Sequence, residues 1–169
     1  MRHVLNPAMI AAMGETRRWH TRPVHRDQTI AEHSHQVALL ALWLDPDLDS
    51  AEVLQVMLWG LLHDAHEPEY GDMPYPAKAA LLRQGIDVDT RCQDLFWGGE
   101  AKNPGRMLDQ RLLDLVDVAD ALEAAIFARH HLPSIAGIVQ RQAEVQVRLR
   151  LSGRLVPFRR ALQALEVPE

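Results

Sequence analysis

Residues 61–72 read Leu-Leu-His-Asp-Ala-His-Glu-Pro-Glu-Tyr-Gly-Asp, and this stretch sets the interpretation of the whole chain. It continues an apolar run, residues 56–62, that only Gly60 interrupts. The pattern predicts a helix that enters the protein interior and ends with polar side chains in a cleft. These side chains are His63, Asp64, His66 and Glu67. Burying them unpaired would cost several kcal/mol each, and a divalent transition metal would suit both imidazole and carboxylate.

A His-Asp pair also occurs where a histidine caps a helix end and the aspartate is solvated. Further ligands on other elements would favour the metal. His33 is one candidate, because Thr29 and Glu32 form a capping-box pattern that starts a helix through Leu44. His33 precedes Val37 by four residues and therefore lies on the apolar face of that helix. Taken alone, it could equally be a core histidine bonded to a backbone carbonyl.

Asp120 is a second candidate. It lies beside the apolar stripe of a long helix predicted from near Met107 to about His131. Aspartate is a poor residue for a helix interior and is almost never buried unpaired. Asp117, one turn earlier, is interpreted as a supporting or a solvated residue.

The remaining patterns are helical as well, and they predict an all-α fold. Asn6-Pro7 is typical of a helix start, and that helix is predicted to run to about Gly14. Ser50 is predicted to cap the helix that carries His63, and Ser134 to cap another. Further helices are predicted to start at Pro76 and Pro157, with a loop and a short helix over residues 83–103. Strand signals are nearly absent.

Composition narrows the class of protein. The 169 residues are enough for one domain with a real core, and 47% are hydrophobic. A net charge of −5 argues against duplex nucleic acid as the main partner.

The single cysteine, Cys92, excludes a disulfide within the chain and suits a reducing cytosol. The longest apolar run, residues 37–44, is too short to cross a bilayer, and no signal-peptide pattern opens the chain, so we expect a soluble cytoplasmic protein.

A polar loop after the first helix places Trp19 among basic residues, including Arg17 and Arg18. One interpretation is a set of solvated charges beside a tryptophan that covers the core. The other is an anion clamp next to a flat surface for a base or sugar. The residues of the loop support the solvated-charge interpretation and the anion-clamp interpretation about equally.

The separated motifs together resemble the HD-domain metal-dependent phosphohydrolases, whose signature is His…His-Asp…Asp. The likeness is to the compact 5′-deoxynucleotidase branch and to the related phage dATP triphosphohydrolases. It covers roughly residues 13–132, while the C-terminal helices, about 134–166, carry no family motif. The motifs are Arg18-Trp19, Ala31-Glu32-His33-Ser34, His63-Asp64-Ala65-His66-Glu67, Gly71-Asp72-Met73-Pro74, Pro76-Ala77-Lys78 and Val118-Ala119-Asp120-Ala121-Leu122.

The resemblance implies a single HD-type helical bundle over residues 1–169 and a role for each matching residue. It implies that one divalent transition metal, Co²⁺, Mn²⁺, Fe²⁺ or Zn²⁺, is held by His33, His63, Asp64 and Asp120. It implies that Arg18 and Lys78 engage phosphate, that Glu67 is the acid/base, and that Trp19 closes over the deoxyribose. Thr21 lies where a residue that contacts the base is expected.

The implied reaction cleaves the bond between the 5′ oxygen and the α-phosphorus of a deoxynucleotide. Triphosphate substrates, dATP in particular, are slightly favoured, and a 5′-deoxynucleotidase acting on monophosphates is the alternative. Two alternatives are not enzymes. One is a nucleotide sensor without turnover, and the other is a structural helical protein whose histidines occur by chance. Related enzymes assemble, so we expect a homo-oligomer. A phage-encoded chain would work in the host cytoplasm.

Overall fold

The computed structural model describes residues 5–166. Its helices are α1 Pro7–Glu15, α2 Ile30–Leu44, α3 Ser50–Leu62, α4 Glu67–Tyr70, α5 Tyr75–Leu82, α6 Val88–Trp97, α7 Gln110–His131, α8 Ala136–Leu151 and α9 Leu155–Glu166. Two short 3₁₀ turns, Glu100–Lys102 and Pro104–Met107, join α6 to α7. Two strands of two residues each, β1 Arg17–Arg18 and β2 Gln28–Thr29, pair antiparallel with Arg17 opposite Thr29. The fold is therefore all-α, as the helical patterns predict.

Several helices begin at the predicted caps. Asn6 caps α1 by accepting a hydrogen bond from the Met9 amide, and Thr29 caps α2 by accepting one from Glu32. Both bonds satisfy amides that have no partner within the first helical turn.

Other predicted helix starts are wrong by a few residues. Asp49, and not Ser50, caps α3 in a complete capping box with Glu52. An aspartate is an equally good cap, and its position lets the Glu52 side chain reach back. The helix predicted from near Met107 begins only at Gln110, because Asp109 caps it. Ser134 makes no cap: α8 starts after Ile135 without any side-chain bond.

The core lies between α2, α3 and α7, with α8 packed on the far side of α7. Apolar side chains at helical spacing face one another there, among them Val37, Ala41, Val56, Leu115 and Leu122, all at most 2% exposed. A smaller apolar cluster around Ile30, Leu62 and Trp97 lies beneath the end of α3. The end of α3 therefore packs on apolar side chains, and the polar residues that follow it are buried.

Gly60 lets α2 and α3 approach closely. A Cβ at this position would lie 2.7 Å from the Cα and 3.0 Å from the Cβ of Ala38 on α2. A backbone atom cannot rotate away as a flexible side chain can, so the two helices would have to separate. The ligands that follow α3 owe their position relative to α2 to this contact.

We expect Gly60→Ala to lower the free energy of unfolding by about 1 to 3 kcal/mol, the usual cost of an overpacked core. Urea unfolding followed by circular dichroism measures this change. Gly14→Ala in α1 is the matched control, because a Cβ there meets nothing within 4 Å. It should be neutral or stabilise by about 0.5 kcal/mol, since alanine is the better helix former. Equal stability of the two variants would contradict the close approach.

None of the helices within residues 5–166 has the length and apolar character needed to cross a membrane.

Candidate metal centre

Three packed helices bring the predicted ligands to one place. His33 extends from the first turn of α2, His63 and Asp64 directly follow α3, and Asp120 lies midway along α7. His33, His63 and Asp64 each offer a ligand atom, and these atoms all lie within 4.8 Å of one another. All three residues are buried. Asp120 borders the group on its exposed side, with Oδ1 3.2 Å from His33 Nε2.

The spacing of these donors fits a single ion. Asp64 Oδ2 lies 3.4 Å from His33 Nε2 and 3.3 Å from His63 Nε2. Neither nitrogen makes a hydrogen bond to any group within residues 5–166, although both are fully buried. Ligands at about 2.1 Å from a tetrahedral zinc are separated by about 3.4 Å. Two buried nitrogens that face carboxylates at this distance, without hydrogen-bond geometry, could therefore bind one divalent metal together with Asp64.

The other ring nitrogen of each histidine is engaged. His63 Nδ1 donates to the carbonyl oxygen of Gly60 at 2.9 Å, and His33 Nδ1 to Glu123 Oε2 at 2.6 Å. A proton held on Nδ1 leaves the lone pair on Nε2 for a metal. The ring orientation is thus set by partners outside the cluster.

The charges of the cluster shift the pKa values of His33 and Asp120 in opposite directions. Burial and the charge of Arg18 lower the pKa of His33, but the carboxylates of Asp120, Asp64 and Glu123 outweigh them and raise it to about 10. Burial raises the pKa of Asp120, but His33 and Arg18 bring it down to about 2. Near neutral pH the metal-free site therefore pairs an imidazolium with carboxylates.

Metal uptake should release a proton, because His33 Nε2 must lose its proton to bind. Since the pKa of His33 is raised to about 10, we expect the affinity for Zn²⁺ or Co²⁺ to increase about tenfold per pH unit between pH 7 and 9. Calorimetric titration in two buffers of different ionisation enthalpy measures the proton count. An affinity that does not change over this pH range would contradict the assignment.

Arg18 and Trp19 are anchored to the back of His33 by a buried network. Arg18 donates to Glu123 Oε2 at 3.2 Å, lies against His33 Nδ1, and has Nη2 3.8 Å from Asp120. The Trp19 indole donates to Gln28 Oε1 at 3.0 Å, and the Gln28 amide donates to Glu123 Oε1 at 2.6 Å. The network places a guanidinium beside the metal cluster and fixes the indole next to it.

The Trp19 backbone adopts a φ of 61°, a left-handed conformation that bulky residues rarely take. Its indole stacks on the Phe127 ring with 6.1 Å between centroids and 7° between planes. These contacts hold the residue in a conformation that would otherwise be unfavourable. Thr21 lies in the exposed turn just after it, and within residues 5–166 its side chain makes no hydrogen bond.

Glu67 and Lys78 lie on the other side of Asp64. The Glu67 side chain is 2% exposed, and its Oε1 accepts a hydrogen bond from Lys78 Nζ at 3.1 Å. Burial and the charge of Asp64 raise the pKa of Glu67 well above its usual range, against the opposing effect of Lys78. A raised pKa shifts a carboxyl group toward the protonated form that a general acid requires.

Sequence reasoning missed three residues of this region. Glu123 follows Asp120 by three, so the helical periodicity of α7 would have placed both carboxylates on one side. Gln28 and Asp89 had no such signal: Gln28 precedes a helix cap, and Asp89 opens α6 in a weakly patterned segment.

Comparison with known proteins agrees with this architecture. The family model described as HD domain matches residues 12–97, about half of the chain. No curated protein sequence matches. Among solved structures, the cyanophage S-2L HD phosphohydrolase (DatZ), bound to dA and one catalytic Zn²⁺ ion, superposes with a TM-score of 0.75. It is 18% identical and the match covers 96% of this chain and 95% of that one, so the likeness extends over the complete fold.

Proposed function

The chain belongs to the HD-domain family, a family of metal-dependent phosphohydrolases, and we propose that its substrate is a deoxynucleotide cleaved between the 5′ oxygen and the α-phosphorus. The observation that carries the proposal is the pair of buried, unpaired nitrogens, His33 Nε2 and His63 Nε2, that face Asp64. A merely structural core would have no reason to leave one buried ring nitrogen on each of two neighbouring imidazoles without a hydrogen bond.

The proposed roles follow from where each side chain lies. His33, His63, Asp64 and Asp120 would hold one divalent metal, which would supply a Lewis acid for a phosphoryl oxygen and for the attacking water. Their donor set of two nitrogens and two carboxylates suits Zn²⁺, Co²⁺, Mn²⁺ or Fe²⁺.

Cationic side chains flank this cluster on both sides. Arg18 lies 3.8 Å from Asp120, and Lys78 contacts Glu67 behind Asp64. Both are placed to balance the charge of a phosphate group that reaches the cluster. Glu67 is proposed as the general acid that donates a proton to the leaving 5′ oxygen, and the upward shift of its pKa favours that role.

Trp19 is proposed to recognise the sugar. Its indole is fixed by Phe127 and Gln28 beside Arg18, so it cannot shift easily to make room for a 2′-hydroxyl. Thr21, in the following turn, is proposed to contact the base. In this proposal Trp19 accounts for the preference for deoxyribose, and Thr21 contributes to recognition of the base.

The length of the phosphate chain has two candidate answers. A triphosphohydrolase, with dATP as the leading substrate, is slightly favoured by the sequence motif around Arg18 and Trp19. The likeness to DatZ, whose structure contains dA, supports a deoxyadenosine moiety but not a phosphate chain length, since dA is the product of either reaction. A 5′-deoxynucleotidase acting on monophosphates is the alternative. Both cleave the same bond, and they differ in releasing triphosphate or phosphate.

We expect the purified, cobalt-loaded protein to release inorganic phosphate from dATP only after a second enzyme that degrades triphosphate is added. Release from dAMP without the second enzyme would identify the monophosphatase instead. Malachite green detects the phosphate, and ATP and AMP serve as ribose controls that should react more slowly. If no deoxynucleotide in a complete panel releases any phosphate, the proposed activity is wrong and a non-catalytic nucleotide sensor takes its place.

A further inference from the structure

A second set of metal-binding residue types lies next to the first. His66, Glu67 and Asp89 each offer one ligand atom, and these atoms lie within 4.8 Å of one another. His66 and Glu67 are 3% and 2% exposed, and His66 Nε2 lies 3.4 Å from Asp89 Oδ1. Glu67 Oε2 and His66 Nδ1 are buried, and neither makes a hydrogen bond in the part of the chain that the structure describes. One imidazole with two carboxylates is a donor set that Mn²⁺, Co²⁺ and Zn²⁺ all accept.

A cation of the chain itself already lies among these groups. Lys78 Nζ is 2.7 Å from Asp89 Oδ1 and 3.1 Å from Glu67 Oε1, so the ammonium bridges both carboxylates. Burial lowers the pKa of Lys78, but the charges of Asp64, Asp89 and Glu67 outweigh it and raise that pKa, so the ammonium keeps its charge. Two cations held by the same two carboxylates would repel each other at close range. A divalent ion can therefore use these ligands only if Lys78 leaves.

We propose that Lys78 takes the place of a second metal ion, so that the wild-type chain binds one divalent ion, and that removing its charge opens a second metal site formed by His66, Glu67 and Asp89. The reason is charge compensation. Without Lys78, two carboxylates, one of them fully buried, keep an imidazole as their neighbour and lose their nearest cation. A divalent ion restores that balance with three ligands already in place.

The inference concerns metal stoichiometry and does not depend on the identity of the substrate. The number of bound ions can be as proposed even if no deoxynucleotide is hydrolysed. It can also differ from the proposal in a protein that does hydrolyse deoxynucleotides. Lys78 keeps its proposed role toward phosphate, because a tethered ammonium supplies positive charge at the point where a second metal would.

The test is a titration of metal-free protein with Mn²⁺, with free Mn²⁺ followed by electron paramagnetic resonance. We expect one tight ion per chain for the wild type and two for Lys78→Met, which keeps the length of the side chain without its charge. Adding Asp89→Asn to Lys78→Met should return the count to one. Lys102→Met is the matched control, because Lys102 is the other lysine of the sequence and is exposed, and it should bind one ion.

Two ions on the wild-type chain, or one on folded Lys78→Met, would overturn the proposal. Should Lys78→Met not fold, Lys78→Gln replaces it with the same expectation of two ions. Lys78→Arg keeps the positive charge and should stay at one ion, and a second ion on that variant would also contradict the proposal.

Discussion

His33→Ala is expected to lose the bound metal and with it phosphohydrolase activity, by a factor on the order of 10³, since a catalytic metal stabilises the transition state by several kcal/mol. His33 Nε2 lies 3.4 Å from Asp64 and 3.2 Å from Asp120, so in the proposed site it connects the residues that follow α3 to Asp120 of α7. Alanine leaves His63 and Asp64, which are adjacent in sequence, without their third partner. Elemental analysis of the purified variant measures the metal, and phosphate release from a deoxynucleotide measures the activity.

The matched control is His35→Ala. His35 lies on the same helix two residues later, is exposed, and should keep both metal and activity. The comparison separates loss of a ligand from a general effect of removing a histidine from α2. A metal content equal to that of the wild type in His33→Ala would contradict the placement of this side chain as a ligand.

Glu67→Gln is expected to lower turnover by about 10² to 10⁴, the usual contribution of a general acid or base, while metal content stays unchanged. Glutamine has the same shape, and its amide oxygen can still accept the hydrogen bond from Lys78 that Glu67 accepts at 3.1 Å. What it cannot do is release a proton to the leaving oxygen. Steady-state kinetics with a deoxynucleotide should show the loss in kcat, with KM little changed.

Glu69→Gln serves as the control for Glu67→Gln, because Glu69 lies on the same short helix, α4, and is exposed. It should retain full turnover. Should Glu67→Gln bind metal and nucleotide with no change in any measured rate, the acid/base role would be wrong. A chain that binds nucleotide and shows no turnover even with Glu67 intact would behave as the nucleotide sensor.

The local patterns predicted most of the helices correctly. Caps such as Asn6 and Thr29 satisfy amides within their own turn, so a few neighbouring residues contain the whole signal. Where two residues offered similar caps, as at Asp49 and Ser50, the wrong one was chosen. The two-residue strands β1 and β2 had no signal of their own, because only the pairing of Arg18 with Gln28, ten positions away, defines them.

The homo-oligomer stays a prediction, as do the individual roles of the site residues. These are the metal-ligand roles of His33, His63, Asp64 and Asp120 and the substrate or catalytic roles of Arg18, Trp19, Thr21, Glu67 and Lys78.

The sequence by itself determined the all-α class and pointed to the ligand types of one divalent metal. Helical periodicity and capping are properties of neighbouring residues, and the His…His-Asp…Asp motif is read in chain order. Only the tertiary structure decided which carboxylate orients which imidazole. Glu123 is 90 positions from His33 and 95 from Gln28, and no local pattern can indicate contacts across that distance. The same holds for Asp89, which becomes a partner of Lys78 and His66 only when α6 packs beside α5. A charged side chain buried between helices is unfavourable unless an oppositely charged group lies beside it. The packing of the whole chain determines which oppositely charged group that is.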